Sequence, residues 1–311
     1  MIPWRAWMEA CRPKTLVAAI VPVAVGGAVY LNYADVQRVG RRPDYYLTFG
    51  ACLAFAFFAQ IVSNFANDLG DSQRGVDNAT RVGPRRAVAN GLISARAMAV
   101  AVCIAIALAC LGGLPIGLQE PLLFIPGALA LVFALAYTLG PFPLSYLGLG
   151  DVFVVACFGV QATALTVYAL HVMVGKSIEL SMPWAPALVA GLGLGLLADN
   201  ILLANNARDM ETDAAAGKRT TVVRWGRGFA RGLHLFNLLV GLGCLAFVFG
   251  LLPLVLLPLA YLQHRGFRRA RTPSEFVPFL GQSALLLLLA GTLCVTATCL
   301  GWVPVGGLFS R

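Results

Sequence analysis

Long apolar runs alternate along the chain with short polar connections. A helix needs roughly 20 predominantly apolar residues to cross about 30 Å of hydrocarbon. Windows of that kind fall near 15–33, 46–66, 95–117, 121–139, 147–170, 184–205, 231–250, 251–263 and 279–303. They predict an all-α polytopic membrane protein, one domain over 1–311 with about nine transmembrane helices. The eighth window is the weakest, being short and carrying Pro253 and Pro258, so an eight-span count also fits. Small residues at four-residue spacing, Gly113 with Gly117 and Gly191 with Gly195, suit close helix packing.

Composition agrees with this pattern. The chain is 59% hydrophobic and 12% charged, with mean hydropathy +0.79, whereas a soluble domain carries about 25% charged residues. The first residues lack a short apolar core followed by a small-residue cleavage site, so the first apolar run reads as a span. With the N-terminus inside, 18 of the 23 Lys and Arg residues fall on one side, leaving Arg38, Arg41, Arg42, Lys176 and Arg311 on the other. This bias places the N-terminus and the polar connections 67–94 and 206–230 in the cytoplasm, and the C-terminus outside. The net charge of +9 does not point to nucleic acid, because the basic residues lie between apolar segments instead of alternating with aromatics on a soluble module. Arg265 to Arg271 reads as a lipid-facing anchor. The eight Cys lack metal-ligand spacing and read as small buried thiols, while His171, His234 and His264 stand apart in sequence.

The two long inner connections each begin with a carboxylate-rich stretch. In the first, Asn64, Asn67, Asp68 and Asp71 would share an arc of roughly 100° if the second span continues as a helix, with Asp77 beyond. In the second, Asp199, Asn206, Asp209 and Asp213 would share roughly 80° under the same geometry. Clustered carboxylates repel and need a cation. Hard oxygen donors suit Mg²⁺, which takes one or two carboxylates, keeps waters, and completes its shell with substrate phosphates. Two facing clusters could thus hold a diphosphate between metal ions. Arg81, Arg85 and Arg86 follow the first cluster, Lys218 and Arg219 the second, and could bind diphosphate oxygens. A third polar stretch, 136–151, carries Tyr137, Tyr146 and Asp151, where an aromatic face could steady an allylic cation. The rival class is a cation transporter, which would place its carboxylates at mid-membrane; here only Asp199 lies deep within a span.

At this point the chain resembles the UbiA superfamily of intramembrane aromatic prenyltransferases, from Arg12 to about Trp302. The stretches that carry the resemblance are RPKTL at 12–16, NDLGDSQRGVD at 67–77, YTLGPFPLSYLGLGD at 137–151 and NNARDMETDAAAGKRTTVVRWG at 205–226. Where members often have a third Asp, this chain has Gly75, with Asp77 following; that departure is similar to the branch acting on 1,4-dihydroxy-2-naphthoate. The resemblance implies helices ringing a central cavity capped by the two Asp-bearing loops, open sideways to lipid. It implies Mg²⁺ on Asp68 and Asp71 and on Asp209 and Asp213, bridging a polyprenyl diphosphate. Asp77 and Tyr137 join these as catalytic candidates, and Asn67, Arg81, Tyr146, Asp151, Asn206, Arg208, Lys218 and Arg219 as substrate-binding ones. The implied reaction transfers the polyprenyl group to 1,4-dihydroxy-2-naphthoate with loss of carbon dioxide, giving demethylmenaquinone at the bacterial inner membrane. Another quinone precursor is the alternative acceptor.

Overall fold

The structure, a computed structural model, describes residues 4–34, 42–74, 86–141, 143–174 and 182–303. Asp77, Arg81 and Arg85 lie outside them. The described residues form helices α1 (Trp4–Cys11), α2 (Pro13–Ala34), α3 (Pro43–Gln73), α4 (Ala95–Gln119), α5 (Phe124–Ala136), α6 (Leu144–Leu147), α7 (Gly150–Met173), α8 (Trp184–Arg208), α9 (Met210–Ala215), α10 (Thr221–Phe249), α11 (Leu257–Arg269) and α12 (Pro273–Cys299). Seven of them (α2, α3, α4, α7, α8, α10 and α12) are long and apolar enough to cross a membrane. The chain is an integral membrane protein. The fourth and eighth expected spans are shorter: Pro121–Ala136, which opens with a 3₁₀ turn, and α11, which a 3₁₀ turn at Leu252–Leu256 introduces. In the eighth, Pro253 and Pro258 lack the N–H that a helix interior needs, so the regular helix is confined to its C-terminal part.

Local chemistry sets several boundaries. The Ser94 hydroxyl accepts from the Ala97 N–H at 3.2 Å and caps α4; Thr220 does the same for α10 through the Val223 N–H. Pro43 and Pro273 begin α3 and α12, where a missing N–H costs nothing. Gly226 takes φ +77° inside α10 and bends the helix just after the loop that carries Lys218.

The central helix is α8, packed against α7, α10, α12 and α2. Its close fit to α7 depends on Gly159 in a π-helical stretch, Val154–Gln161, where any Cβ would run into the Gly191 carbonyl and the Gly195 backbone. Gly191 and Gly195 are therefore a true helix contact, whereas Gly117 makes room for the Phe124 ring instead. Gly159→Ala is expected to destabilise the protein by about 1–3 kcal/mol in detergent unfolding, while Gly232→Ala, whose Cβ meets open space, should be neutral or gain up to about 1 kcal/mol.

Outward faces are apolar, with Leu118, Ile125 and Leu251 among the exposed side chains, as a lipid-facing surface requires. Of the eight Cys only Cys294 is buried, while Cys103, Cys110 and Cys299 are exposed, Cys110 at the wall of an apolar cavity. A thiol is apolar enough to meet lipid as readily as protein. The histidines are not all isolated: His234 and His264 approach to 3.3 Å between Nδ1 atoms, joining α10 to α11.

Candidate active site

Helix α3 runs unbroken through the first Asp cluster, so Asn64, Asn67, Asp68 and Asp71 do share a face. They line a cavity of 400 Å³, together with Asn206, Arg208, Asp209, Asp213 and Lys218 from the second. Asp68 accepts from the Ala87 and Val88 main-chain N–H groups, both at 3.0 Å, and so holds the segment after 86 against α3. Asn64 ties the α1–α2 corner in place, donating to the Cys11 carbonyl at 2.8 Å and to Thr15 Oγ1 at 3.1 Å. The Asn67 side-chain oxygen accepts from Thr138 at 2.8 Å.

The second cluster is not one helical stripe. Helix α8 ends at Arg208, and Asp209 has φ −92° and ψ 9° before α9 begins. The Arg208 fork closes on the Asp209 carboxylate at 2.7 and 2.6 Å. The break keeps Asp209 and Asp213 at the cavity and leaves Asp199 buried deeper in the bundle. Across the cavity, the two clusters meet through one ammonium: Lys218 Nζ lies 3.2 Å from Asp71 Oδ1 and 3.5 Å from Asp213 Oδ1. Arg86 Nη2 reaches Asp71 Oδ2 at 2.7 Å. Burial pushes the Asp213 carboxyl up to about 6, although Lys218 draws it down. Burial would lower Lys218, but Asp71 and Asp213 outweigh it and hold the ammonium above its usual range.

The remaining candidates divide. Tyr137 lines the cavity, and Tyr146 stands beside it, its ring 5.5 Å from Lys218 Nζ and 5.1 Å from the Arg74 guanidinium carbon. Burial raises the Tyr146 phenol. Arg219 does not line the cavity: its side chain is exposed, and its main-chain N–H donates to the Tyr146 carbonyl at 3.2 Å. Residues that sequence reasoning passed over also line the cavity, notably Arg12, Lys14, Thr15 and Thr138. Arg12 sits at φ +49°, a rare backbone for a residue with a Cβ, at the sharp corner between α1 and α2. The RPKTL stretch was the signal for the first three, and the stretch 137–151 for Thr138.

Asp151 does not line the cavity either. It accepts from Thr221 Oγ1 at 2.9 Å and meets Asp199, which accepts from Asn237 Nδ2 at 2.9 Å. Asn237 also donates to Asn200 Oδ1 at 3.2 Å. The two carboxyl groups thus meet inside the bundle, both buried. The network joins α7, α8 and α10, and through Thr221 it secures the N-terminus of α10 three residues after Lys218. Asp199→Asn, which keeps a neutral partner for Asp151, should unfold close to the parent. Asp199→Leu, which strands Asp151 and Asn237, should cost about 1–3 kcal/mol in detergent unfolding.

A second cavity of 420 Å³, almost wholly apolar, lies between α2, α3, α4, α5 and α7. Gln60, Ser63, Tyr137, Val154 and Phe158 line both cavities, so a charged chamber continues into an apolar one. Among the described residues no three His, Cys, Asp or Glu side chains could hold a metal ion as a group. The carboxylates fit a hard cation nonetheless, because Asp71 and Asp213, from different clusters, already converge on one positive charge. A divalent ion held by two carboxylates and substrate phosphates is the habit of Mg²⁺.

Fold and site together define an α-helical membrane protein in which a chamber lined by charged side chains opens into an apolar one. The chain belongs to the UbiA prenyltransferase family, whose model matches residues 19–280. It is 35% identical to the 1,4-dihydroxy-2-naphthoate octaprenyltransferase of Haemophilus influenzae, over 93% of this chain and 94% of the relative. It is 34% identical to the Escherichia coli enzyme of the same name, over 94% of each chain. Its fold is similar to that of a UbiA homologue from Archaeoglobus fulgidus solved with DMAPP and Mg²⁺, with a TM-score of 0.59 at 18% identity, covering 93% of this chain and 99% of that one.

Proposed function

We propose that this enzyme transfers a polyprenyl group from polyprenyl diphosphate to 1,4-dihydroxy-2-naphthoate, releasing pyrophosphate and carbon dioxide. The observation that carries this reading is the junction of the two chambers at Tyr137, beside the convergence of Asp71, Asp213 and Lys218. The relatives' shared name supports the choice of acceptor.

The diphosphate lies in the charged chamber and the isoprenoid tail in the apolar one. Asp71 and Asp213, with Asp68 and Asp209, would hold Mg²⁺, which when bound neutralises the diphosphate and stabilises the departing pyrophosphate. Lys218 and Arg86, which stand beside these carboxylates, would contact the phosphate oxygens. Asn67 and Asn206 orient ligands at the chamber wall. Cleavage of the prenyl C–O bond leaves an allylic cation at the chamber junction, where the Tyr137 ring faces it and apolar walls exclude water. The electron-rich ring attacks this carbon. Loss of carbon dioxide from the substituted ring carbon then restores aromaticity, so no side chain need remove a ring proton. The polar connections rich in Lys and Arg support a cytoplasmic position for this chamber, at the inner membrane.

The test is product analysis. Purified protein in detergent receives Mg²⁺, labelled geranylgeranyl diphosphate and, separately, dihydroxynaphthoate, 4-hydroxybenzoate or homogentisate. A decarboxylated prenyl naphthohydroquinone, recovered as the quinone after oxidation in air, is the expected product; prenylation of another acceptor alone would overturn the acceptor assignment.

A further inference from the structure

Outside the bundle, behind the Asp209 turn, a cleft of 450 Å³ is lined by Arg227 and Arg231 of α10, Arg268 and Arg269 of α11, and Arg271. Five like charges gathered around one concavity repel one another and favour an anion between them. Two of the five are held in place by local contacts. Arg227 donates to the Ala207 carbonyl at 3.2 Å and to Glu211 at 2.9 Å, and its guanidinium lies 5.3 Å from the Phe276 ring centroid. Arg231 donates from Nη2 to the Ala270 carbonyl at 3.0 Å, while its Nε is buried without an acceptor. Among the described residues no carboxylate forms an ion pair with Arg231, Arg268 or Arg269. Glu275 lies outside the cleft and accepts from the Arg271 main-chain N–H at 2.8 Å.

Sidedness explains why positive residues lie at this end of the helices, but it requires only that they be near the spans. It does not require them to converge on a cleft. The surroundings of the cleft name the ligand's other half. Farther along the same helices, Phe236 and Leu239 of α10 and Tyr261 and Leu262 of α11 are exposed. Trp225 and Phe229 of α10, also exposed, stand 4.7 Å apart by ring centroids, as aromatic side chains do at a membrane interface. A ligand for this place offers phosphate oxygens to the guanidiniums and apolar chains to the flanks.

We propose that this cleft binds the phosphate headgroup of an anionic membrane phospholipid, whose acyl chains lie along the outward faces of α10 and α11. Through Arg227, which also holds the last turn of α8, the bound headgroup braces the helix end that presents Asp209. A soluble phosphate offers the same oxygens but leaves the apolar flanks uncovered.

The full chain is reconstituted in nanodiscs of equal phosphatidylglycerol and phosphatidylcholine, and the lipid it retains is read by native mass spectrometry. Phosphatidylglycerol should be retained preferentially, and excess inorganic phosphate should leave it in place. Arg268→Gln with Arg269→Gln should lower that preference by roughly tenfold or more. Arg268→Lys with Arg269→Lys keeps the charge and should keep most of the preference, which covers the case in which the neutral variant fails to fold. Arg5→Gln with Arg96→Gln removes the same charge elsewhere on the cytoplasmic side and should change nothing. Equal retention of both lipids, full displacement by inorganic phosphate, or equal losses in the two neutral double variants would each overturn the proposal.

Discussion

Asp71→Ala lowers turnover by about 10³-fold at saturating Mg²⁺ and diphosphate, and Asp213→Ala does the same. Each carboxylate comes from a different cluster, and the two converge on Lys218, so in the proposed mechanism each would supply a half of the cation site that the other cannot replace. Asp71→Asn is the sharper variant. It can keep a hydrogen bond to Arg86 while losing the charge, and it should be as inactive as the alanine. Pyrophosphate release measures the effect directly. Asp71→Asn turning over within about fivefold of the parent would mean that Asp71 serves only to orient Arg86.

Lys218→Met has the second large effect, and it is on stability in the absence of metal. The ammonium now separates two buried carboxylates. Removing it leaves them facing each other, at a cost of about 3–5 kcal/mol in unfolding at pH 8 with a chelator. Asp213 already titrates up to about 6, and without Lys218 it moves higher. A carboxyl whose folded pKa lies above its unfolded value binds a proton more tightly when folded. The variant's deficit therefore shrinks as the pH falls from 8 through 6, and Mg²⁺ added at pH 8 restores part of it. A deficit that grows on acidification, or none at pH 8, would contradict the arrangement of the three groups.

The spans and both carboxylate clusters were legible because hydropathy and helical period are local properties. Asn64, Asn67, Asp68 and Asp71 share a face since α3 continues through them, as the period required. The second cluster was only half legible. Nothing local showed that Arg208 would close on Asp209 and end α8 there, which separates Asp199 from Asp209 and Asp213. Asp151 shows the same limit from the other side. Its position beside Tyr137 and Tyr146 suggested a substrate contact, but its partners Thr221 and Asp199 come from helices far along the chain, and they turn it into the bundle. Arg86 and Arg85 looked alike in sequence, yet only tertiary folding decides that Arg86 meets Asp71. Lys218 and Arg219 adjoin, and the turn at Gly217, with φ +75°, sends the first into the cavity and the second to the surface. The His234–His264 contact, like these, depends on how two helices pack.

The central claim is that a prenyl diphosphate lies across the two chambers with its head between the Asp clusters. An experimental structure with Mg²⁺ and a non-hydrolysable prenyl thiodiphosphate tests it most directly. Density for metal and phosphates between Asp71 and Asp213, with Lys218 turned to the phosphate oxygens and the tail beyond Tyr137 in the apolar chamber, is the expected result. A tail lying outside the bundle, or a diphosphate held away from both carboxylates, would contradict the account.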